Sequence, residues 1–170
     1  MAFVRIKTRK TKELLVEYAY LVDNSWRKRK KMPKQKVKEY LGKIYRFDCS
    51  KEGFLVSGLS YSTNLKEFIK FCLLKSGFSE ESKKFVKNGI KVDLYRLSVY
   101  TTKGKKCVVQ INDGFICNWS LKELFKFKIT SEADGASFAK VLRLCGLNVT
   151  PSNFVSLFQL GLIETKTKGS

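Results

Sequence analysis

Residues 25–44, SWRKRKKMPKQKVKEYLGKI, join five consecutive basic residues, Arg27 to Lys31, to a half-apolar segment with alternating character. Alternation with a period of two predicts a strand, here over KVKEYLGKIYRF (36–47), with a kink at Gly42. Two segments upstream, FVRIKTR (3–9) and LLVEYAYLVD (14–23), predict two further strands. Three strands joined by two basic connections form a small antiparallel three-stranded module.

The remainder of the chain predicts alternating helices and strands. Predicted helices cover 62–78 with a stop at Gly77, 79–89 (SEESKKFVKNG), 120–127 from a Ser120 cap, 131–146, and a last helix that starts near Pro151 and stops at Gly161. Predicted strands cover IKVDLYRLSVYT (90–101) and KCVVQIN (106–112), joined by a hairpin across TKGK, and FICNW (115–119). This second group of strands reads as a β-meander.

The expected fold class is therefore α+β, with a basic three-stranded β module over residues 1–47 and an α+β body over residues 48–170 that ends in helices. Residues 1–47 carry 15 basic and 4 acidic residues, a net charge of +11, and residues 48–170 carry 19 and 11, a net charge of +8. This shift in charge density near Phe47 predicts that the two parts pack separately.

The charge of the whole chain points to a polyanionic partner. It has 34 Lys and Arg against 15 Asp and Glu, a formal net charge of +19. Such a charge speeds encounter with polyanions and opposes self-association. High lysine content is also typical of hyperthermophiles and AT-rich genomes, which is the alternative explanation of the excess.

The residue types argue against catalysis, a metal site and a cofactor. The chain has no histidine, which is the commonest general base and metal ligand. Its five cysteines form no CxxC pair, and Cys72, Cys107 and Cys145 read as small core residues. Asp93 and Asp113 on neighbouring predicted strands leave open a two-carboxylate magnesium site, as in a metal-dependent nuclease.

The sequence shows neither an apolar run of 18 residues nor a signal peptide pattern. We therefore expect a cytoplasmic or nucleoid-associated protein with no membrane partner.

The first 47 residues resemble the amino-terminal segment of insertion-sequence transposases of the IS4/IS1634 type. The resemblance rests on Val4–Lys7, the run Val16–Val22, Lys34–Val37 and Tyr40–Ile44, in that order. It implies a small sheet that engages DNA, as in three-stranded integrase-type modules. It does not imply transposition, because the transposase catalytic domain needs three spaced carboxylates, and the remaining residues contain no such arrangement.

Basic side chains of this module are the predicted contacts, with duplex DNA as the favoured partner. A β-ribbon fits the major groove, and basic loops reach the flanking phosphates. Arg5, Lys7 and Arg9 are expected to form one basic surface with Lys34, Lys36 and Lys38. The predicted nucleic-acid-binding residues are Arg5, Lys7, Arg9, Lys10, Trp26, Arg27, Lys28, Arg29, Lys30, Lys31, Lys34, Lys36, Lys38 and Lys43.

The tyrosines of the module allow two interpretations. Tyr18, Tyr20, Tyr40 and Tyr45 have the ring faces needed to stack on unpaired bases. One face of a small sheet must also be core, and Val4, Ile6, Leu15, Tyr18, Tyr20, Val37 and Tyr40 are the expected members of that core.

Two other functions stay open at this point. The first is an RNA-binding or ribosome-associated protein, since the same lysines would serve there. The second is an adaptor that docks a protein partner through carboxy-terminal helices bearing Phe154, Phe158 and Leu162. A helix-turn-helix made by the last two helices is disfavoured, because residues 152–160 contain no Lys or Arg.

Overall fold

The computed structural model describes residues 2–10, 14–27, 32–49, 54–58 and 60–167, without the side chains of residues 26, 27, 32 and 33. These ranges form an α+β fold, which confirms the predicted class. The strands are β1 Ala2–Lys10, β2 Leu15–Arg27, β3 Met32–Phe47, β4 Ser79–Glu81, β5 Lys84–Lys87, β6 Ile90–Asp93, β7 Ser98–Thr101, β8 Cys107–Ile111 and β9 Gly114–Ile116. The helices are α1 Tyr61–Lys75, α2 Asn118–Lys126, α3 Gly135–Leu144 and α4 Pro151–Thr167, with a 3-10 turn, Glu132–Asp134, before α3.

The strands of this fold belong to two sheets. The larger has the order β1-β2-β3-β8-β9, and the smaller is a meander with the order β4-β5-β6-β7. The predicted antiparallel arrangement of β1, β2 and β3 is present. β8 runs parallel to β3, with Lys43 opposite Cys107 and Phe47 opposite Ile111. The larger sheet therefore contains strands from both parts of the chain.

The prediction that the two parts pack separately is wrong, because β3 and β8 share a hydrogen-bonded ladder. Gly42 makes this junction sterically possible. A Cβ at Gly42 would lie 2.4 Å from the Lys106 carbonyl oxygen and 2.6 Å from the Cys107 Cα, and its φ of +130° disfavours any other residue. The kink expected at Gly42 is thus the point where the body joins the module.

Two hydrophobic clusters lie within the described ranges of the chain. The larger lies among α1, the smaller sheet and helices α2 to α4, with Phe138, Leu65 and Ile69 among its fully buried members. The smaller lies under β1–β3 and is completed by Val108 and Cys117 from the body. Cys72, Cys107 and Cys145 are buried, as their apolar surroundings predicted.

Residues 79–89 form a hairpin, β4 and β5, where a helix was predicted. The turn between β4 and β5 places Ser82 and Lys83 at φ values of 49° and 65°, and the turn between β5 and β6 places Asn88 and Gly89 at 49° and 73°. Consecutive positive φ values suit two-residue hairpin turns. The hairpin buries Phe85 and pairs β5 with β6. The missed signal is the Asn88–Gly89 dipeptide, which favours such a turn.

The predicted strand over 90–101 is two strands, β6 and β7. Asp93 ends the first, since its Oδ1 accepts hydrogen bonds from the amides of Tyr95 (3.0 Å) and Arg96 (2.9 Å). The turn across TKGK exists, with the Thr101 amide donating to the Lys105 carbonyl. It links β7 to β8, with an isolated antiparallel bridge between Tyr100 and Lys106, and β8 pairs antiparallel with β9 as predicted. The difference from the prediction is that β6 and β7 belong to the smaller sheet and β8 and β9 to the larger.

Helix boundaries differ from the predicted ones, most instructively in α2 and α4. α2 begins at Asn118, two residues before the predicted Ser120 cap, because the Cys117 amide donates to the Ser120 Oγ at 3.0 Å. α4 continues through Gly161 to Thr167, although a stop was predicted there. Gly161 lies in a helix interior because a Cβ would meet Ile129 Cδ1 at 2.7 Å. It is a close-packing residue and not a helix end.

Candidate nucleic-acid interface

One face of β1–β3 gathers cations and tyrosines. Side chains alternate between faces along a strand, and directly paired residues point to the same face. Arg5 pairs with Tyr20 and Lys7 with Tyr18, which pairs in turn with Lys43. We call this surface the cation–tyrosine face, with the members Arg5, Lys7, Arg9, Tyr18, Tyr20, Tyr40, Lys43 and Tyr45.

Two irregularities in the β2–β3 ladder determine which residues of β3 belong to this face. Register shifts occur between Ala19 and Tyr20 and between Leu21 and Val22. Tyr40 therefore lies opposite Tyr20 while Lys43 lies opposite Tyr18, although Tyr40 and Lys43 are three residues apart. Strict alternation would have placed Tyr40 and Lys43 on opposite faces, and the bulge brings them together.

Three of the four cations of this face, all but Arg5, lie over tyrosine rings. The Lys7 Nζ lies 5.1 Å from the centroid of Tyr20, and the Arg9 Cζ lies 5.6 Å from that of Tyr18. The Lys43 Nζ lies 5.1 Å from the centroid of Tyr45. These separations are within the range of cation–π attraction. The rings therefore hold the cations on the surface and leave their charge exposed to an incoming anion.

The tyrosines form a cluster across the two strands β2 and β3. The centroids of Tyr20 and Tyr40 are 5.3 Å apart, and those of Tyr18 and Tyr40 are 6.3 Å apart, both pairs tilted. Tyr40 is 45% exposed, which leaves much of its ring available to a ligand. Desolvation raises the pKa of both Tyr40 and Tyr45. Their hydroxyls are therefore neutral at physiological pH and add no negative charge.

The carboxylates of the described part of β1–β3 all lie on the opposite face. Glu39 pairs with the buried Leu21, and Glu17 and Asp23 share the parity of Leu21 along β2. Each is neutralised by a cation, as follows: Arg46 Nε to Glu17 Oε2 at 2.8 Å, Lys38 Nζ to Asp23 Oδ2 at 2.8 Å, and Lys106 Nζ to Glu39 Oε1 at 2.7 Å. The cation–tyrosine face thus carries positive charge without a described carboxylate beside it.

The prediction that Lys34, Lys36 and Lys38 would form one surface with the β1 cations is wrong. Lys36 pairs with Asp23 and Lys34 pairs with Ser25. Both lysines therefore point to the face opposite to the cation–tyrosine face. Lys38 forms an ion pair with Asp23, and its hydrogen bond lowers the pKa of that carboxyl to about 2. The two register shifts cancel between Lys43 and Lys36, so the pairing with β2 puts Lys36 and Lys34 on the face opposite to Lys43.

The other predicted contacts either point away from the cation–tyrosine face or lie outside the described part of the structure. Lys10 ends β1 with the parity opposite to that of Arg9 and is exposed. Arg27 and Trp26 end β2, and their side chains are outside the described part of the structure. The rest of the basic run, Lys28, Arg29, Lys30 and Lys31, lies outside the described residues.

Part of the predicted core of the module is wrong. Val4 and Ile6 pack on the smaller hydrophobic cluster as expected. Leu15, Val37 and Tyr40 are instead 71%, 49% and 45% exposed. They lie on β2 and β3 where no element of the described chain buries them.

The carboxy-terminal aromatics are part of the chain's own core. The ring of Phe138 lies 5.5 Å from that of Phe154 and 6.2 Å from that of Phe158. These rings contribute to the larger cluster, so an adaptor surface on α4 would have to use its exposed residues, Val155 and Ile163. These ring contacts pack α3 against α4 within the larger cluster.

The two carboxylates considered for a magnesium site have different surroundings. Asp93 is buried and accepts the two backbone hydrogen bonds of its turn, whereas Asp113 is exposed. Within the ranges that the structure describes, no three acidic or cysteine side chains are grouped as metal ligands are.

Among the described helices, none combines the length and the apolar character needed to cross a membrane. Comparison of the chain with protein-family models, curated proteins and solved structures found no match. The resemblance of residues 1–47 to transposase segments therefore stays a prediction.

Proposed function

We propose that this chain is a non-enzymatic nucleic-acid-binding protein that contacts phosphates through the cation–tyrosine face. The observation that supports this function is the separation of charge on β1–β3. Arg5, Lys7, Arg9 and Lys43 share one face, and the described carboxylates of these strands share the other. A surface with one sign of charge attracts a polyanion, whereas interspersed charges cancel.

The proposal predicts a measurable dependence on salt. Each neutralised phosphate lowers log K by about 0.7 to 0.9 per decade of salt concentration. Four cations on the face then give a slope of about −3, so raising salt from about 50 to 200 mM weakens binding about 50- to 150-fold. Fluorescence anisotropy with a labelled oligonucleotide measures this slope, and a flat response would contradict the proposal.

A matched pair of charge reversals separates the face from the overall charge. Lys7→Glu with Arg9→Glu changes the cation–tyrosine face, and Lys34→Glu with Lys36→Glu makes the same change in net charge on the opposite face. At 0.1 M salt charges are screened within about 10 Å. We expect the first variant to reduce the salt slope by about 1.5 and the second to change it by less than about 0.5. Equal losses would mean that net charge alone drives binding.

DNA is the partner that the resemblance favours, and RNA is the alternative. Competition between DNA and RNA oligonucleotides of equal length and sequence distinguishes them. A preference for RNA would keep the proposed face and replace the proposed partner, since phosphate contacts by themselves do not distinguish the two sugars.

A further inference from the structure

We infer that the cation–tyrosine face binds single-stranded nucleic acid in preference to duplex, with bases stacked on its tyrosines. This inference rests on the proposed function and narrows it. It departs from the duplex partner expected from the sequence, because the tyrosines lie on the same outer face as the cations and not in the core, and Tyr40 is the exposed member with no cation of the described residues over its ring.

The cations form a row along one side of the face. Arg5, Lys7 and Arg9 alternate along β1, which is the edge strand of the larger sheet. Alternate residues of an antiparallel strand lie about 6.8 Å apart. That spacing is close to the separation of successive phosphates in an extended single strand. One backbone laid along β1 would therefore meet one cation per phosphate.

The aromatic surface lies immediately inward from this row. Tyr18 and Tyr20 on β2 are paired with Lys7 and Arg5, and Tyr40 on β3 follows behind Tyr20. A strand whose phosphates follow β1 can direct its bases over β2 and β3, toward these rings. Proteins that bind single strands combine the same two features, a basic track and aromatic platforms.

A duplex would use this surface less completely. Its bases are already stacked on one another, so a duplex offers no free base face to the ring of Tyr40, a residue that is 45% exposed. Its second backbone would need a second row of cations across the face. Lys34 and Lys36 lie on the opposite side of the sheet, and Lys38 is bound to Asp23. Beyond the β1 row, Lys43 is the cation that the face offers on β3.

The chain contains a matched control for the stacking role of Tyr40. Tyr95 is 71% exposed and has a lysine above its ring, with the Lys66 Nζ 5.2 Å from the centroid. It lies in the turn after β6, in the other sheet. Tyr95 therefore resembles Tyr20 in having a lysine over its ring. Glu67 and Glu80 lie among the lysines around it, however, so it is not part of a surface with one sign of charge.

The test compares binding of the full chain to a labelled mixed-sequence DNA single strand and to the duplex of the same sequence. The strand has about 20 nucleotides, which exceeds the site size of one small domain. We expect the single strand to bind about 5- to 150-fold more tightly than the duplex at the same salt, the range for one stacked base. Tyr40→Leu should remove this preference, while Tyr40→Phe should keep it and Tyr95→Leu should leave it unchanged. Circular dichroism melting of each variant checks that it is folded.

The outcomes separate this inference from the proposed function. If the duplex binds as tightly as the single strand, and Lys7→Glu with Arg9→Glu weakens both, the face binds nucleic acid but the inference is wrong. If Tyr40→Leu and Tyr95→Leu behave alike while both are folded, stacking on this face is likewise refuted. If neither form binds, the proposed function fails together with the inference.

Discussion

One face of the larger sheet has opposite characters at its two ends. At β8, Cys107 and Val109 are 1% and 0% exposed, whereas Val37 and Tyr40 on β3 are 49% and 45% exposed. Lys43 pairs with Cys107 and Tyr45 with Val109, so these residues belong to the same face of one continuous sheet. The hydrogen-bonded sheet is continuous from one end to the other, parallel between β3 and β8 and antiparallel between β2 and β3. The difference in exposure comes from what covers each end.

One continuous sheet therefore has a face that is buried at β8 and exposed at β1–β3. The helices and the smaller sheet cover β8 and β9, where Val109 joins the larger hydrophobic cluster. β1–β3 extend beyond this cover, and there the same face carries charged and aromatic side chains. A buried strand thus stabilises an exposed one, which is a suitable scaffold for a rigid binding surface.

The largest expected effect comes from breaking the junction between the two ends. Gly42→Ala places a Cβ against the Lys106 carbonyl at 2.4 Å, at a φ of +130°. We expect a loss of about 3 to 5 kcal/mol in the free energy of unfolding, measured by urea denaturation. Gly104→Ala is the control, because Gly104 has a φ of +73° and no atom within 4 Å of the new Cβ. Gly104→Ala should lower the free energy of unfolding by about 1 to 2 kcal/mol. Equal losses for the two variants would show that the junction at Gly42 is not tightly packed.

A pair of identical truncations compares the two ends directly. Val109→Ala removes two methyl groups from a fully buried position, and Val37→Ala removes them from a position that is 49% exposed. We expect Val109→Ala to lower the free energy of unfolding by about 2 to 3 kcal/mol and Val37→Ala to lower it by less than about 1 kcal/mol. Urea denaturation measures both, and a larger loss at Val37 would mean that its face is covered in solution.

The smallest expected effect concerns the ion pair on the opposite face. The hydrogen bond from Lys38 lowers the pKa of Asp23 from 3.8 to about 2. A lowered folded-state pKa gives stability that is fully present above the unfolded value of 3.8 and is lost as pH falls through about 2. The stability difference between wild type and Asp23→Asn should therefore shrink steadily between these two values. An NMR titration of the Asp23 carboxyl that gives an ordinary pKa would contradict the ion pair.

The strands of the module were predictable because their signals are local. The alternation in residues 3–9 and 36–47 requires only that one side of each strand be apolar. α1 was predictable for a similar reason, since its apolar stripe through Leu65, Phe68 and Ile69 recurs at helical spacing. The hairpin β4–β5 was missed because Phe85 is a single buried residue, too little to show a period of two.

The candidate interface was predictable in composition but not in arrangement. Arg5, Lys7 and Arg9 were assigned to one face from their spacing, and the register supports that assignment. The membership of Tyr40 and Lys43 depends on two register shifts in β3, and the sequence has no local mark of where a bulge falls. Lys34 and Lys36 were placed on the wrong face because the pairing of β3 with β2 is a long-range property that the spacing of lysines within β3 does not show.

The sequence alone determined the class of the fold, the existence of the amino-terminal strands and the excess of positive charge, since each depends on residue type and short-range spacing. The tertiary structure decided that β3 pairs with β8, which face the charges occupy and which tyrosines are exposed. Those properties depend on contacts between residues far apart in the chain, such as Lys43 with Cys107. Hydrophobic periodicity indicates that a face must be buried, but only the packed neighbour determines where that burial ends.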